Sequence, residues 1–377
     1  MSTLTWNEVR ARRLHRHALT EPARDVVDVV AAVSGVHAQI LSAAELSVAI
    51  RTSATTRADV WEELWTRRGL VKTFGPRGTA HLLPARDLPM WTGALSATPN
   101  RNPMPDGVRL TPEQTDQVVA AIDGALADAE LTVDELTEAV VAATGSWAGE
   151  LVMPAFQGMW PRWRQAMHLA AHRGALCFGP NRGRKVTYTG PRRWLPGFRP
   201  MQAETALAEL AKRYLRAYGP ATPAHFARWL AAPPRWAAEL FDSLDLVEVD
   251  VEGHTGWLVA GDDDFGFEPG DLRLLPYFDA YAVGCHPRDV LFPGKAAQRA
   301  LAGGQAGNFP VLLIGGTVAG VWHQRRSGRK VDITVEPLDR LTAAHRTALD
   351  EQVQRIGEFL EARPQLTIGT VTVGPHA

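Results

Sequence analysis

The sequence predicts a mainly α-helical chain carrying small β-hairpins, in which a helix–helix–hairpin unit occurs three times before a β-rich C-terminal domain. Three observations carry this expectation. Helical stretches are punctuated by N-cap signals, each series of helices runs into a strand–turn–strand segment, and β-type segments dominate only after about residue 285.

In the first unit, helical stretches over about 6–53 and 57–68 lead into "GLVKTFGPRGTAHLL". That segment reads as two short strands around Gly75-Pro76-Arg77-Gly78, where glycine supplies the backbone freedom a tight turn needs. In the second, Thr111 before Pro112 and Gln114 gives an N-cap with proline at the first helical position, and Thr132 with Glu135 gives a capping box. A Trp-rich helix over about 156–173 then runs into "GALCFGPNRGRKVTYTG", again strand, basic glycine turn, strand. In the third, 201–218 is helical, Thr222-Pro223 restarts a helix, and "LVEVDVEGHTGWLVA" closes with a hairpin. Beyond it, "FPVLLIGGTVAGVWHQ" and "KVDITVEP" are β-type, 342–363 is helical, and "QLTIGTVTVG" is a final strand. Helix, helix, hairpin is the pattern of the winged helix. The expected division is therefore tandem winged-helix domains at 1–98, 99–200 and 201–284, followed by a C-terminal β-rich domain at 285–377.

The net charge of −1 conceals a segregation along the 377 residues. No acid occurs over 151–203, where Arg162, Arg164, Arg173, Arg182, Arg184, Lys185, Arg192, Arg193 and Arg199 stand. None occurs over 290–331 either, which carries Lys295, Arg299, Arg325, Arg326, Arg329 and Lys330, whereas 239–271 is acidic. Such blocks are either a positive footprint for a polyanion or merely solvated faces. The longest uncharged apolar run, "FPVLLIGGTVAGVW", is shorter than the ~20 residues of a spanning helix, and the first residues lack a signal-like apolar stretch. The expectation is a cytoplasmic protein with no membrane partner. Cys177 and Cys285 fit buried free thiols, and with no zinc-like cluster and no phosphate-cradling loop, no metal and no cofactor is expected.

One short stretch, "SGVHAQILSAAE", has the pattern of a site. Helical periodicity over 25–33 stops at Gly35, and Ser42 with Glu45 has the spacing of a capping box that starts the next helix. His37 and Gln39 fall in the gap. Two residues apart, they diverge by roughly 200° on a helix but share one side of an extended segment. An ordinary interhelical linker, its histidine capping a carbonyl, is the other reading.

The whole chain resembles the bacterial winged-helix DNA glycosylases of the azinomycin-resistance type and their crosslink-unhooking relatives. "GVHAQ" matches the place of that family's Gln-x-Gln or Gln-x-Asp motif, and "RGTAHLL" matches its Arg-Gly-Thr-x-His-Leu segment. "RAYGPATPAHFARWL", "LLPYFDAYAVGCHPRD" and "GTVAGVWHQRRSGRKVDITVEP" extend the match over nearly the full length. One position departs: His37 stands where the family carries its first glutamine. That departure points either to a subgroup with another substrate or to a scaffold without the chemistry.

The resemblance implies a monofunctional DNA glycosylase acting on double-stranded DNA that carries an alkylated purine, chiefly N7-alkylguanine, with His37 and Gln39 as catalytic residues. N7 alkylation fixes a positive charge on the base, which then leaves without protonation. The protein has to stabilise an oxocarbenium-like sugar and place a water at C1′. A glutamine oxygen can do both, and a neutral imidazole can accept the water's proton, so activity should fall as His37 is protonated at low pH. An amine nucleophile is not expected, since none of Lys72, Lys185, Lys212, Lys295 and Lys330 lies near the motif. DNA contacts are expected from Arg77 in the first hairpin, from Arg182, Arg184 and Lys185 in the second, and from Arg325, Arg326, Arg329 and Lys330 in the last domain. Trp160, Trp163 and Trp194 are read chiefly as core, with base stacking as the alternative. A monomer is expected. The rival functions are a winged-helix DNA-binding regulator, a catalytically inactive adduct binder, and, more remotely, a hydrolase using Asp279 or His286.

Overall fold

Local signals place most elements, and long-range packing decides the rest. The computed structural model describes residues 3–99, 102–155, 158–268 and 270–375. The chain gathers into two units, one formed by 1–63, 211–226 and 241–377, the other by 64–210 and 227–240.

In the first unit, helix Trp6–Arg16 starts at a Thr5/Glu8 capping box, and helices Val26–Ala32 and Leu41–Ala49 follow. The hairpin of strands Leu246–Val251 and His254–Val259 takes Thr3–Leu4 as a parallel third strand. The main sheet has five strands in the order Leu272–Leu275, Val311–Ile314, Thr317–Ser327, Lys330–Pro337, Arg363–Ile368. Its first four strands are antiparallel, and the last pair is parallel because helix Ala343–Phe359 returns the chain to the same edge. Val331, Ile333 and Val335 alternate inward along their strand, and Leu349, Val353 and Ile356 line the buried face of the helix at its own period. The first strand of this sheet precedes residue 285, so the β-rich region recruits 272–275 from upstream.

In the second unit, the strands around Gly75-Pro76-Arg77-Gly78 are Leu70–Phe74 and Ala80–Pro84. Both N-cap signals operate: helix Pro112–Leu126 starts at Thr111 and helix Val133–Thr144 at Thr132, each with a closed capping box. Strands Cys177–Arg182 and Lys185–Thr189 form the next hairpin, joined by Glu130–Thr132. Val118, Ile122, Leu126, Leu136, Val140 and Trp163 make a fully buried core beneath it.

Two expectations are corrected. The Trp-rich stretch does not begin as a helix: Leu151–Ala155 and Gly158–Pro161 pair as antiparallel strands, and helix forms only at Met167–His172 after a 3₁₀ turn at Arg162–Ala166. Phe156, where the helix was to begin, lies outside the described residues. Gly158 (φ 138°) and Pro161 explain the change, since the first sits where a helix cannot and the second lacks an N–H. Consequently Trp163 and Trp194 are core, while Trp160 is exposed with the Arg164 guanidinium 4.0 Å from its ring centre. The Ser42/Glu45 box also fails to form. Helix Leu41–Ala49 starts from Ile40 with no side-chain cap, and Glu45 turns inward to accept from Arg57 Nε (2.7 Å) and Trp61 Nε1 (2.6 Å). Charge-assisted bonds to a buried carboxylate outweigh one cap.

Each unit buries a histidine that is neutral at pH 7. His17, fully buried, is lowered to about 3 by desolvation and by the charges of Arg51 and Arg13, against the pull of Asp279 and the Ala217 carbonyl. His172 is lowered to about 4 by desolvation and by His168, against its bond to the Gly75 carbonyl. Unfolding frees both to take a proton below the ordinary histidine value of ~6.5, so their stability contribution is complete above that pH and falls away on acidification. From pH 7 to pH 5 each is expected to remove about 2 kcal/mol. Urea unfolding across that window checks this, and His17→Phe should flatten the slope.

Candidate active site

The chain enters the His-Ala-Gln segment through two left-handed residues, Ser34 (φ 54°) and Gly35 (φ 90°), which end helix Val26–Ala32. Gly35 N–H closes the helix by donating to the Val30 carbonyl at 2.9 Å. The backbone then runs extended. Val36 and Ala38 are buried at 1% and 0% exposure, whereas His37 is half-buried and Gln39 exposed. Strand geometry covers Val36–His37 only, and Gln39 lies in the bend that precedes the next helix. Helix Leu41–Ala49 leaves directly from this segment.

His37 packs against Phe278, ring centroids 4.5 Å apart and planes at 33°. Phe278 is itself left-handed (φ 54°), with its N–H on the Gly307 carbonyl at 3.0 Å. The next residue, Asp279, is wholly buried and takes a two-pronged contact from Arg51, Nη1 and Nη2 each at 2.7 Å from an oxygen, plus the Ser47 hydroxyl at 2.7 Å and the Tyr281 N–H at 3.0 Å. Burial works to raise this carboxyl, but Arg51 and the hydrogen bonds outweigh it and hold it below the usual carboxylate value. Both oxygens of Asp279 are thus committed to structure, and His286 is buried in a stack on His225, 4.8 Å between centroids. Neither is placed as a hydrolase's nucleophile or base. Among the described residues no group of His, Cys, Asp and Glu could hold a metal ion.

The sequence pattern of the family described as DNA glycosylase AlkZ-like matches residues 30–359, a span that includes this segment, Phe278 and Asp279. The chain belongs to the AlkZ-like DNA glycosylase family. It is 33% identical over 351 residues to the interstrand DNA cross-link repair glycosylase of Streptomyces sahachiroi, covering 84% of this chain and 87% of that protein. Its structure resembles that of Streptomyces sahachiroi DNA glycosylase AlkZ with a TM-score of 0.82 and 28% identity, over 98% of this chain and all of that one.

The cations expected at DNA fall into three classes in this AlkZ-like glycosylase. Arg325, Arg326, Arg329 and Lys330 are all exposed at the tip of the hairpin 317–337. Arg182 and Lys185 are exposed but engaged: Arg182 binds both oxygens of Glu135 (2.9 and 3.1 Å) and the Glu130 carbonyl, and Lys185 lies 2.9 Å from Asp134. Arg184 is exposed at the same turn. Arg77, left-handed at φ 61°, donates to the Trp229 carbonyl at 2.6 Å and lines a cavity of about 350 Å³ with His168 and His172. Sequence reasoning missed the Ser47–Arg51–Asp279 cluster and Phe278's place against His37. The only signal was "YFDAY" itself, an acid amid apolar and aromatic residues.

Proposed function

We propose that the protein is a monofunctional DNA glycosylase that excises bulky N7-alkylguanine or related alkylpurine adducts, crosslinks included, in DNA repair or in self-resistance to a genotoxin. The observation that carries this is the His37-Ala38-Gln39 segment between two helices, where His37 and Gln39 are more accessible than buried Val36 and Ala38, in a chain of this family. Similarity to a crosslink-repair glycosylase supports the crosslink assignment. Gln39 Oε1 accepts from the attacking water and turns its negative dipole toward the sugar cation, with no titration to tune. Neutral His37 takes the proton that water loses. The adducted guanine already carries its positive charge and leaves with the glycosidic electron pair, so no acid is required, and an imidazolium at this place would oppose the developing cation. No lysine lies in the segment, and the product is an abasic site. The helix–helix–hairpin runs are assigned as three winged-helix domains (1–98, 99–200, 201–284) ahead of the β-rich domain (285–377), in a cytoplasmic monomer. A panel of N7-guanine adducts from methyl to bulky intercalating groups tests the range: release should persist as the adduct grows, and release of methyl adducts alone would contradict it.

DNA is assigned to the exposed cations. Each phosphate neutralised steepens the log–log salt dependence by about 0.9. Arg325→Ala with Arg326→Ala should therefore flatten the slope by about two. Arg182→Ala with Lys185→Ala should flatten it by less, because phosphate has first to displace Glu135 and Asp134. Binding isotherms between low and moderate salt check both, and equal slopes for the two pairs would contradict the ranking.

A further inference from the structure

We infer that the buried Ser47–Arg51–Asp279 cluster is a positioning device for the reaction, setting the His37 ring through Phe278. The inference rests on the assignment of His37 and Gln39 as the catalytic pair. Phe278 holds a backbone conformation that is unfavourable for an aromatic residue by roughly 1–2 kcal/mol. It persists because it is fixed on both sides. Its own N–H is held by Gly307, where a Cβ would sit 2.9 Å from Phe278 Cδ1, and its successor Asp279 is clamped by Arg51 and Ser47. Ser47 lies near the end of helix Leu41–Ala49 and Arg51 just beyond it, and His37-Ala38-Gln39 leads into the start of that helix.

The same carboxylate therefore fixes both parts of the contact. Through Ser47 and Arg51 it holds the helix on which the motif is mounted, and through the chain it holds Phe278 against the imidazole. The helix is about 13 Å long, so the clamp acts from its far end on a ring at its near end. A forked arginine–carboxylate pair is suited to this because it fixes orientation as well as distance. Buried ion pairs contribute little net stability compared with apolar residues of the same size, which makes geometry the more telling consequence here.

The test is single-turnover base release, measured beside DNA affinity, for wild type, Ser47→Ala, Phe278→Leu and the double variant, at a temperature where all are folded. Each single variant should lower the rate constant about tenfold with the dissociation constant unchanged, a loss in the range of a sub-ångström misplacement. The double variant should be no slower than the slower single one, because both act along one path. If Ser47→Ala lowers the melting temperature but releases base at the wild-type rate, or if the two losses multiply, the inference is overturned. Ser47→Cys, which keeps the volume and leaves the Arg51–Asp279 pair in place, carries the same expectation should Ser47→Ala not fold. His37→Ala and Gln39→Ala run in the same series separate the levels. Full release by both overturns the catalytic assignment, whereas their failure beside a wild-type rate for Ser47→Ala overturns only the positioning role.

Discussion

Gln39→Ala is expected to slow base release by about 10²- to 10³-fold while leaving DNA affinity unchanged, the usual consequence of deleting one preorganised transition-state contact. The side chain is exposed in the bend ahead of helix Leu41–Ala49, so truncation removes no core packing. Its loss should appear in the rate constant for excision alone, because a dipole aimed at a sugar cation has nothing to stabilise in the ground state. Gln39→Glu separates the two tasks assigned to this residue. It keeps an oxygen toward the sugar and adds negative charge, and should retain far more activity than alanine. Single-turnover excision at saturating enzyme measures this, and a weakened affinity with an unchanged rate would make Gln39 a DNA-binding residue instead.

Asp279→Ala should have the largest effect on stability. It leaves Arg51, at 0% exposure, as an uncompensated charge in the protein interior, and breaking such a pair from one side costs about 3–5 kcal/mol. Against a total of roughly 5–15 kcal/mol for a typical domain, that is enough to unfold a large share of the protein near its growth temperature. Urea unfolding followed by tryptophan fluorescence is the measurement. A cost under about 1 kcal/mol, the scale of an exposed ion pair, would mean that Arg51 finds another partner.

What the sequence made legible was local. Gly35 ends its helix, Thr111 and Thr132 start theirs, and His37 and Gln39 fall in the gap between two helices, each decided within a few residues. The unread parts depend on distance along the chain. Arg51 and Asp279 lie 228 positions apart, and Glu135 meets Arg182 across 47, so neither pairing leaves a mark at either end. The acid-free block around Arg182 reads as uniformly basic for that reason: its counter-charges lie upstream, with Glu135 and Asp134 meeting Arg182 and Lys185, and Glu150, Asp116 and Asp123 meeting Arg162, Arg173 and Arg192. Ser42 and Glu45 misled differently, because a valid capping pattern lost to a buried partner for the glutamate. In the Trp-rich stretch the deciding residues are also local, since Gly158 and Pro161 outweigh the aromatic content and turn it into a strand pair.

Everything proposed for His37 and Gln39 presupposes that the protein excises an alkylated purine base. Quantifying free base by mass after wild type, in excess, meets a duplex bearing a single bulky N7-alkylguanine tests it most directly. The expected result is stoichiometric release of the intact alkylguanine, an abasic strand that breaks only with alkali, and no trapping of the protein on DNA by borohydride. A tight complex that returns the adduct unreleased would contradict it, and would make the protein a binder of damaged DNA.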